Sequence, residues 1–95
     1  MDFDWDPLKA KANRAKHGVS FEFAQEVWDN PLHVTAYDRF EGGEHRYHAL
    51  GLAGSILLLV VYAYPDPSDE RAVRIISARR ASNRERRSYE EGVVP

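Results

Sequence analysis

Ninety-five residues, 43% hydrophobic and 29% charged, suit one domain with a modest core and argue against a disordered chain. The absence of cysteine excludes a disulfide framework, a thiolate nucleophile and thiolate metal ligands. The formal net charge of -2 disfavours a wide phosphate-contacting face, yet charge is divided unevenly. Residues 1–70 carry 6 Lys/Arg against 12 Asp/Glu, whereas residues 71–95 carry 7 Arg against 3 Glu.

MDFDWDPLKA at the start lacks the basic and apolar regions of a signal peptide. The longest apolar run, ILLLVVYAY at 56–64, has 9 residues against the ~20 a helix needs to span a bilayer. A soluble, cytoplasmic protein without a membrane partner is expected, as a single domain over 1–95.

FDW at 3–5 reads as a short strand. Asp6 and Pro7 then supply the N-cap and first residue of a helix that runs to His17 and stops at Gly18. Leu8, Ala12 and Ala15 mark its apolar stripe, with Lys9, Asn13 and Lys16 on another face. Ser20 caps a second helix whose buried face is Phe21, Ala24, Val27 and Trp28, ended by Asn30-Pro31. From Leu32 the period changes to two. Strands are expected at 32–39, 44–52 and 55–64, separated by turns at 41–43 and 53–54. The third of these is apolar throughout, as suits a central strand covered on both faces. After the loop PDPSDE at 65–70, a last strand covers 71–79. Ser82-Asn83-Arg84-Glu85 then forms a capping-box pattern that opens a final helix to about Glu91. The sum is an α+β domain: a small antiparallel sheet of about four strands, with a short N-terminal fifth, two N-terminal helices and one C-terminal helix.

The segment RAVRIISARRASNRERRSY at 71–89 holds all seven arginines of the last quarter. Simple alternation places Arg74 with Ala72, Ile76 and Ala78, and Arg79 with Val73, Ile75 and Ser77. Helical spacing carried back from the last helix aligns Arg80, Arg84 and Arg87. Strand end, first helical turn and helix dipole would then converge on one anion-binding junction, where Arg can grip a phosphate through two parallel hydrogen bonds. The plainer alternative is a solvated face with Arg86–Glu90 and Arg87–Glu91 pairs, and Glu85 serving only Ser82. His17 ends a helix, where a histidine either complements the dipole or transfers protons. His45 and His48 fall on opposite strand faces and make no metal pair; His33 is isolated. Tyr89 shares a helical face with Glu85, and ordinary packing explains it when taken alone. No metal-binding or nucleotide-binding motif occurs.

FDWDPLKAKANRAKHGVSF at 3–21, GEHRYHALG at 43–51 and RIISARRASNRERRSYEE at 74–91 together resemble the BrnT toxins of bacterial type II toxin–antitoxin pairs. One departure is Phe23, where the family often has an acidic residue to complete a capping box with Ser20. The resemblance implies a RelE-like fold and a ribonuclease that arrests translation and growth. It also implies a BrnA-like ribbon-helix-helix antitoxin as partner in a hetero-oligomer, RNA as substrate, and promoter DNA bound only through the antitoxin complex.

Metal-independent cleavage with the ribose 2′-hydroxyl as nucleophile needs charge stabilisation at phosphorus and two proton transfers. The resemblance, set beside that chemistry, makes Arg74 and Arg79 candidates for the charge, and His17, Glu85 and Tyr89 candidates for the protons. Lys16 could assist either. Lys9, Asn13, Arg46, Arg80 and Arg84 are candidates for holding RNA phosphates. RelE-like toxins often use an arginine and lysine set instead of an acid–base pair, which leaves a structural role open for His17. No metal or other cofactor is implied. The rival reading is a non-catalytic, toxin-like module whose arginine groove receives an acidic or amphipathic partner segment. Direct DNA binding is disfavoured, because no helix-turn-helix signature is present.

Overall fold

A computed structural model describes residues 1–92. Five strands form one sheet: β1 (Asp2–Asp4), β2 (Val34–Glu41), β3 (Glu44–Ala53), β4 (Ile56–Ala63) and β5 (Ala72–Arg80). Their spatial order is β1-β5-β4-β3-β2. The pairs β2–β3, β3–β4 and β4–β5 are antiparallel, as the alternating pattern implies. β1 instead runs parallel to β5, with Asp2 opposite Ala72 and Asp4 opposite Arg74, so the sheet is mixed and not antiparallel. β1 also begins and ends one residue earlier than expected. Trp5 leaves the sheet to meet Phe21 edge-on at 5.9 Å.

β4 is buried on both faces. On one, Leu58, Val60 and Tyr62 join Val73, Ile75 and Ala78 of β5 and Ala49 and Ala53 of β3. This core is covered by α1 (Pro7–His17), by the single turn α2 (Phe21–Ala24) and by a 3-10 turn at Gln25–Asp29. On the other, Leu57 and Leu59 join Leu50 under Tyr89 of α3 (Asn83–Glu91). α3 covers only this apolar end, which leaves the rest of that sheet face open to polar residues.

Three elements depart from the sequence reading, each for a local reason. The stripe Leu8, Ala12 and Ala15 faces solvent, with Leu8 77% exposed. α1 packs instead through Ala10 and the buried Asn13, because polar bonding to β5 outweighs three small apolar contacts. The second helix is α-helical for one turn only and then tightens. In a 3-10 coil residues three apart line up, which sets Ala24 and Val27 in one row facing the core, with the 3-10 turn over β3. Gly51 permits that approach: a Cβ there would lie 2.7 Å from His33 Cβ and 3.0 Å from Val27 Cγ1. Finally, β2 starts at Val34 and not at Leu32. Asn30 Oδ1 accepts from the Leu32 N–H, and the His33 ring bonds the Asn30 carbonyl, holding these residues in a turn.

Two bulges reset which side chains share a face. In β5 the partners step from Val61–Ser77 to Tyr62–Ile75, which leaves Ile76 as the extra residue. Ala78 therefore joins Val73 and Ile75 in the core. Arg79, opposite Leu59, lies on the same face as Arg74, opposite Ala63. Simple alternation had separated the two arginines. In β2 the step from Tyr37–Tyr47 to Arg39–Arg46 leaves Asp38 as the extra residue. Tyr37 and Phe40, three apart, thereby face the same way.

Candidate active site

Arg79, one residue before the end of β5, stands beside Glu85 in the first turn of α3. Ser82 Oγ accepts from the Glu85 N–H (3.2 Å), and Glu85 Oε1 accepts from the Ser82 N–H (2.8 Å), completing the expected capping box. The same carboxylate takes both ends of the Arg79 guanidinium, Nη1 to Oε1 at 2.8 Å and Nη2 to Oε2 at 2.9 Å. Arg79 Nη1 also donates to the Arg80 carbonyl. Glu85 thus serves its own helix and the arginine together. The Arg79 bonds, with help from Ser82, hold its carboxyl down at about 2, while Glu85 raises the Arg79 pKa.

This pair borders a cleft of about 400 Å³ on the open face of the sheet. Its floor is Leu59, Val61, Ser77 and His48; Asp38 and Arg39 of β2 form the opposite rim. His48 and Ser77 are the cross-strand neighbours of Val61 on either side. Arg39 is neutralised by Asp38 at 2.6 Å and Glu41 at 3.4 Å. Arg46, two residues before His48, has its side chain largely covered and pairs with Glu41. His48 Nε2 and Arg46 Nε are buried without a hydrogen-bond partner among the described residues. Such groups are rare enough in folded proteins to call for an explanation.

Arg80 and Arg84 are exposed, as are Arg86 and Arg87 of α3, and none makes an ion pair among the described residues. The Arg86–Glu90 and Arg87–Glu91 pairs do not form. Arg80 belongs to β5 and not to α3, so the helical alignment with Arg84 and Arg87 does not hold.

The other candidates lie apart from the cleft. Arg74 donates to Asp4 at 3.2 and 3.4 Å and, with Lys9, lines a second cleft of about 370 Å³ that also holds Asp6 and Glu44. Asn13 is 7% exposed: its amide donates to the Ala78 and Val19 carbonyls and accepts from the Ala78 N–H. That side chain is committed to the main chain of Ala78 and Val19. Lys16 is exposed and His17 half-buried at the end of α1, and neither lines the cleft. The Tyr89 hydroxyl accepts from Asn30 at 2.9 Å, tying α3 to the segment after the 3-10 turn. Arg39, His48 and Ser77 were not singled out as site residues from the sequence. Polar His48 preceding Leu50 and Leu52 on one face of β3 was the available signal, and simple alternation already set Ser77 on the face of Arg79.

Among the described residues, no group of three or more His, Cys, Asp or Glu side chains is placed to hold a metal ion. No helix there is long and apolar enough to cross a membrane. No curated protein matches the chain. A family model described as the ribonuclease toxin BrnT of type II toxin–antitoxin systems matches residues 5–85. The chain belongs to that family.

Proposed function

We propose that this BrnT-family ribonuclease toxin cleaves RNA without a metal ion in the cleft between the open sheet face and α3. The observation that carries the reading is the Arg79–Glu85 fork at the cleft edge, beside exposed Arg80 and Arg84. An RNA phosphate offers Arg79 the same planar, two-pronged acceptor as a carboxylate and competes directly with Glu85. Once the phosphate takes the guanidinium, the Glu85 carboxyl loses its main stabilising partner and its proton affinity rises. Substrate entry itself prepares the base.

The 2′-hydroxyl then gives its proton to Glu85 and its oxygen bonds to phosphorus. Arg79 stabilises the added negative charge, the bond from phosphorus to the 5′-oxygen breaks, and that oxygen takes up a proton. The products are a 2′,3′-cyclic phosphate and a 5′-hydroxyl end. His48 is our choice for donating the second proton, since its unpartnered ring nitrogen needs a partner that ligand entry can supply. Arg80 and Arg84 hold flanking phosphates, and Arg74 with Lys9 extends the path along the second cleft. Lys16 adds positive charge from outside the reacting centre, while His17 at the end of α1 and the Glu41-paired Arg46 support the surrounding structure. Tyr89 positions α3 through Asn30.

The cellular consequence is inhibition of translation and growth arrest in the cytoplasm. Restraint comes from a ribbon-helix-helix antitoxin whose complex with the toxin represses its own promoter. Purified protein should cut RNA in EDTA and should fail on a strand carrying a single 2′-deoxyribose at the scissile position. Unchanged cleavage of that strand, or strict dependence on added metal, overturns the mechanism.

A further inference from the structure

The sheet face opposite the arginine cleft carries a different surface, beyond the cover of the N-terminal helices. A chain of ring contacts runs outward from the core: Trp28–Tyr62 at 5.1 Å, Tyr62–Tyr47 at 5.7 Å, Tyr47–Tyr37 at 5.6 Å, Tyr37–His45 at 5.7 Å and His45–Phe40 at 5.0 Å. Its outer members are uncovered, Tyr37 by 52% and Phe40 by 60%. The extra residue Asp38 puts those two rings on one face; without it Phe40 would turn to the other side. The order of the row is reinforced by the Tyr37 hydroxyl bonding His45 Nδ1 at 3.0 Å.

Beside the row lies a pocket of about 350 Å³ between the β2–β3 turn and the β4–β5 loop. Rings of His45, Tyr47 and Tyr64 and the face of Pro65 line it, together with the carboxylates Glu44 and Glu70. The adjoining loop adds Asp66 nearby, while Asp69 is already paired with Arg71 at 3.1 Å. Aromatic faces attract cations, and carboxylates at the rim strengthen that preference. Phosphates are repelled by the same groups, so RNA is the poorer fit here, although bare rings alone would suit bases.

We infer that this surface is the docking site for the antitoxin, through a segment that places a Lys or Arg side chain in the Glu44/Glu70 pocket and an apolar side chain on Tyr37 and Phe40. The inference rests on membership of a type II toxin–antitoxin family, which implies such a partner. Charge complementarity selects the occupant: a basic, partly apolar protein segment in preference to nucleic acid. The ring row lies on the opposite face from Arg79, and only Glu44 borders both this pocket and the second cleft, so the antitoxin holds the toxin from behind without filling the catalytic cleft.

The test uses the cognate antitoxin, purified and titrated into Phe40→Ala, Glu70→Arg and unaltered toxin by calorimetry. Both substituted residues are exposed, so the fold should persist, which thermal unfolding checks. Each substitution should weaken antitoxin binding by about tenfold or more, while RNA cleavage by free toxin is unchanged. Equal binding by all three proteins overturns the inference and leaves the family reading intact. Loss of RNA cleavage with antitoxin binding preserved overturns it too, and assigns the rings to RNA. Failure of the antitoxin to bind even the unaltered toxin removes the partner reading and this inference together.

Discussion

Arg79 and Glu85, six residues apart, meet through two parallel hydrogen bonds of 2.8 and 2.9 Å across the junction of β5 and α3. The geometry is that of a guanidinium already holding an anion. A substrate phosphate must therefore displace an internal competitor, and only a ligand matching both prongs does so efficiently. Lysine in place of Arg79 keeps the charge and loses the fork.

Arg79→Ala is expected to lower kcat for RNA cleavage by about 10²–10³-fold, the usual cost of removing one charge-stabilising donor. Arg79→Lys should recover only part of it. Glu85→Gln releases the arginine and should tighten RNA binding while cleavage falls by about 10²–10⁴-fold. Single-turnover kinetics with parallel binding measurements separates the two effects. Faster cleavage by Glu85→Gln would reassign Glu85 from base to restraint.

Acid should expose the same pair in stability. The Glu85 carboxyl sits at about 2 in the folded protein, below its unfolded value, so its contribution is present in full above the ordinary carboxylate range. It is lost progressively as pH falls from about 5 towards 2. Arg79 is partly open to solvent, so the contribution is on the order of 1–2 kcal/mol. Urea unfolding at several acidic pH values should show this limb, and Glu85→Gln should flatten it.

His48→Leu should divide function from stability. A leucine removes the unpartnered ring nitrogen and keeps the floor of the cleft apolar, so stability should hold or rise by about 1 kcal/mol. RNA cleavage should fall by about 10²–10⁴-fold. An unfolded variant, or one that cleaves RNA at the parental rate, counts against a proton-transfer role.

Asn13→Ala should destabilise the fold, because the Ala78 N–H and the Ala78 and Val19 carbonyls lose their partners. The expected cost is about 1–3 kcal/mol for each buried group left unpaired. Denaturant unfolding measures it, and hydrogen exchange at Ala78 locates it. RNA affinity of the protein that remains folded should be near parental.

Gly51→Ala should cost about 1–3 kcal/mol, since the added methyl meets the His33 and Val27 side chains at 2.7 and 3.0 Å. The shift should appear in thermal unfolding and in the near-ultraviolet signal of Trp28, whose core contacts adjoin the 3-10 turn.

The sequence announced those features that local chemistry determines. Asp6-Pro7, Gly18, the Gly42-Gly43 turn and the Ser82–Glu85 box each fix a backbone conformation within a few residues, and each lies where expected. The apolar run of β4 likewise reports burial on both faces. Features set by pairing between distant segments were hidden. Neither bulge has a residue signature, yet the one at Ile76 moves Ala78 inward and joins Arg79 to the face of Arg74. Asn13 looked like a surface polar residue because its partners are the main chain of Ala78, 65 residues away. The Arg79–Glu85 fork was half visible: the two were candidates for one site, but their mutual neutralisation depends on the turn between strand and helix.

The parallel pairing of β1 with β5 also governs when the toxin can exist. Asp2 and Asp4 find their neighbours only at Ala72 and Arg74, so this pairing closes across a separation of 70 residues. Such long-range closure is slow compared with local helix and hairpin formation. Arg79 and Glu85 follow later still in synthesis, so a truncated translation product lacking residues after 78 has no fork at all. The order of synthesis thus places a delay between the making of β1 and the first competent fork.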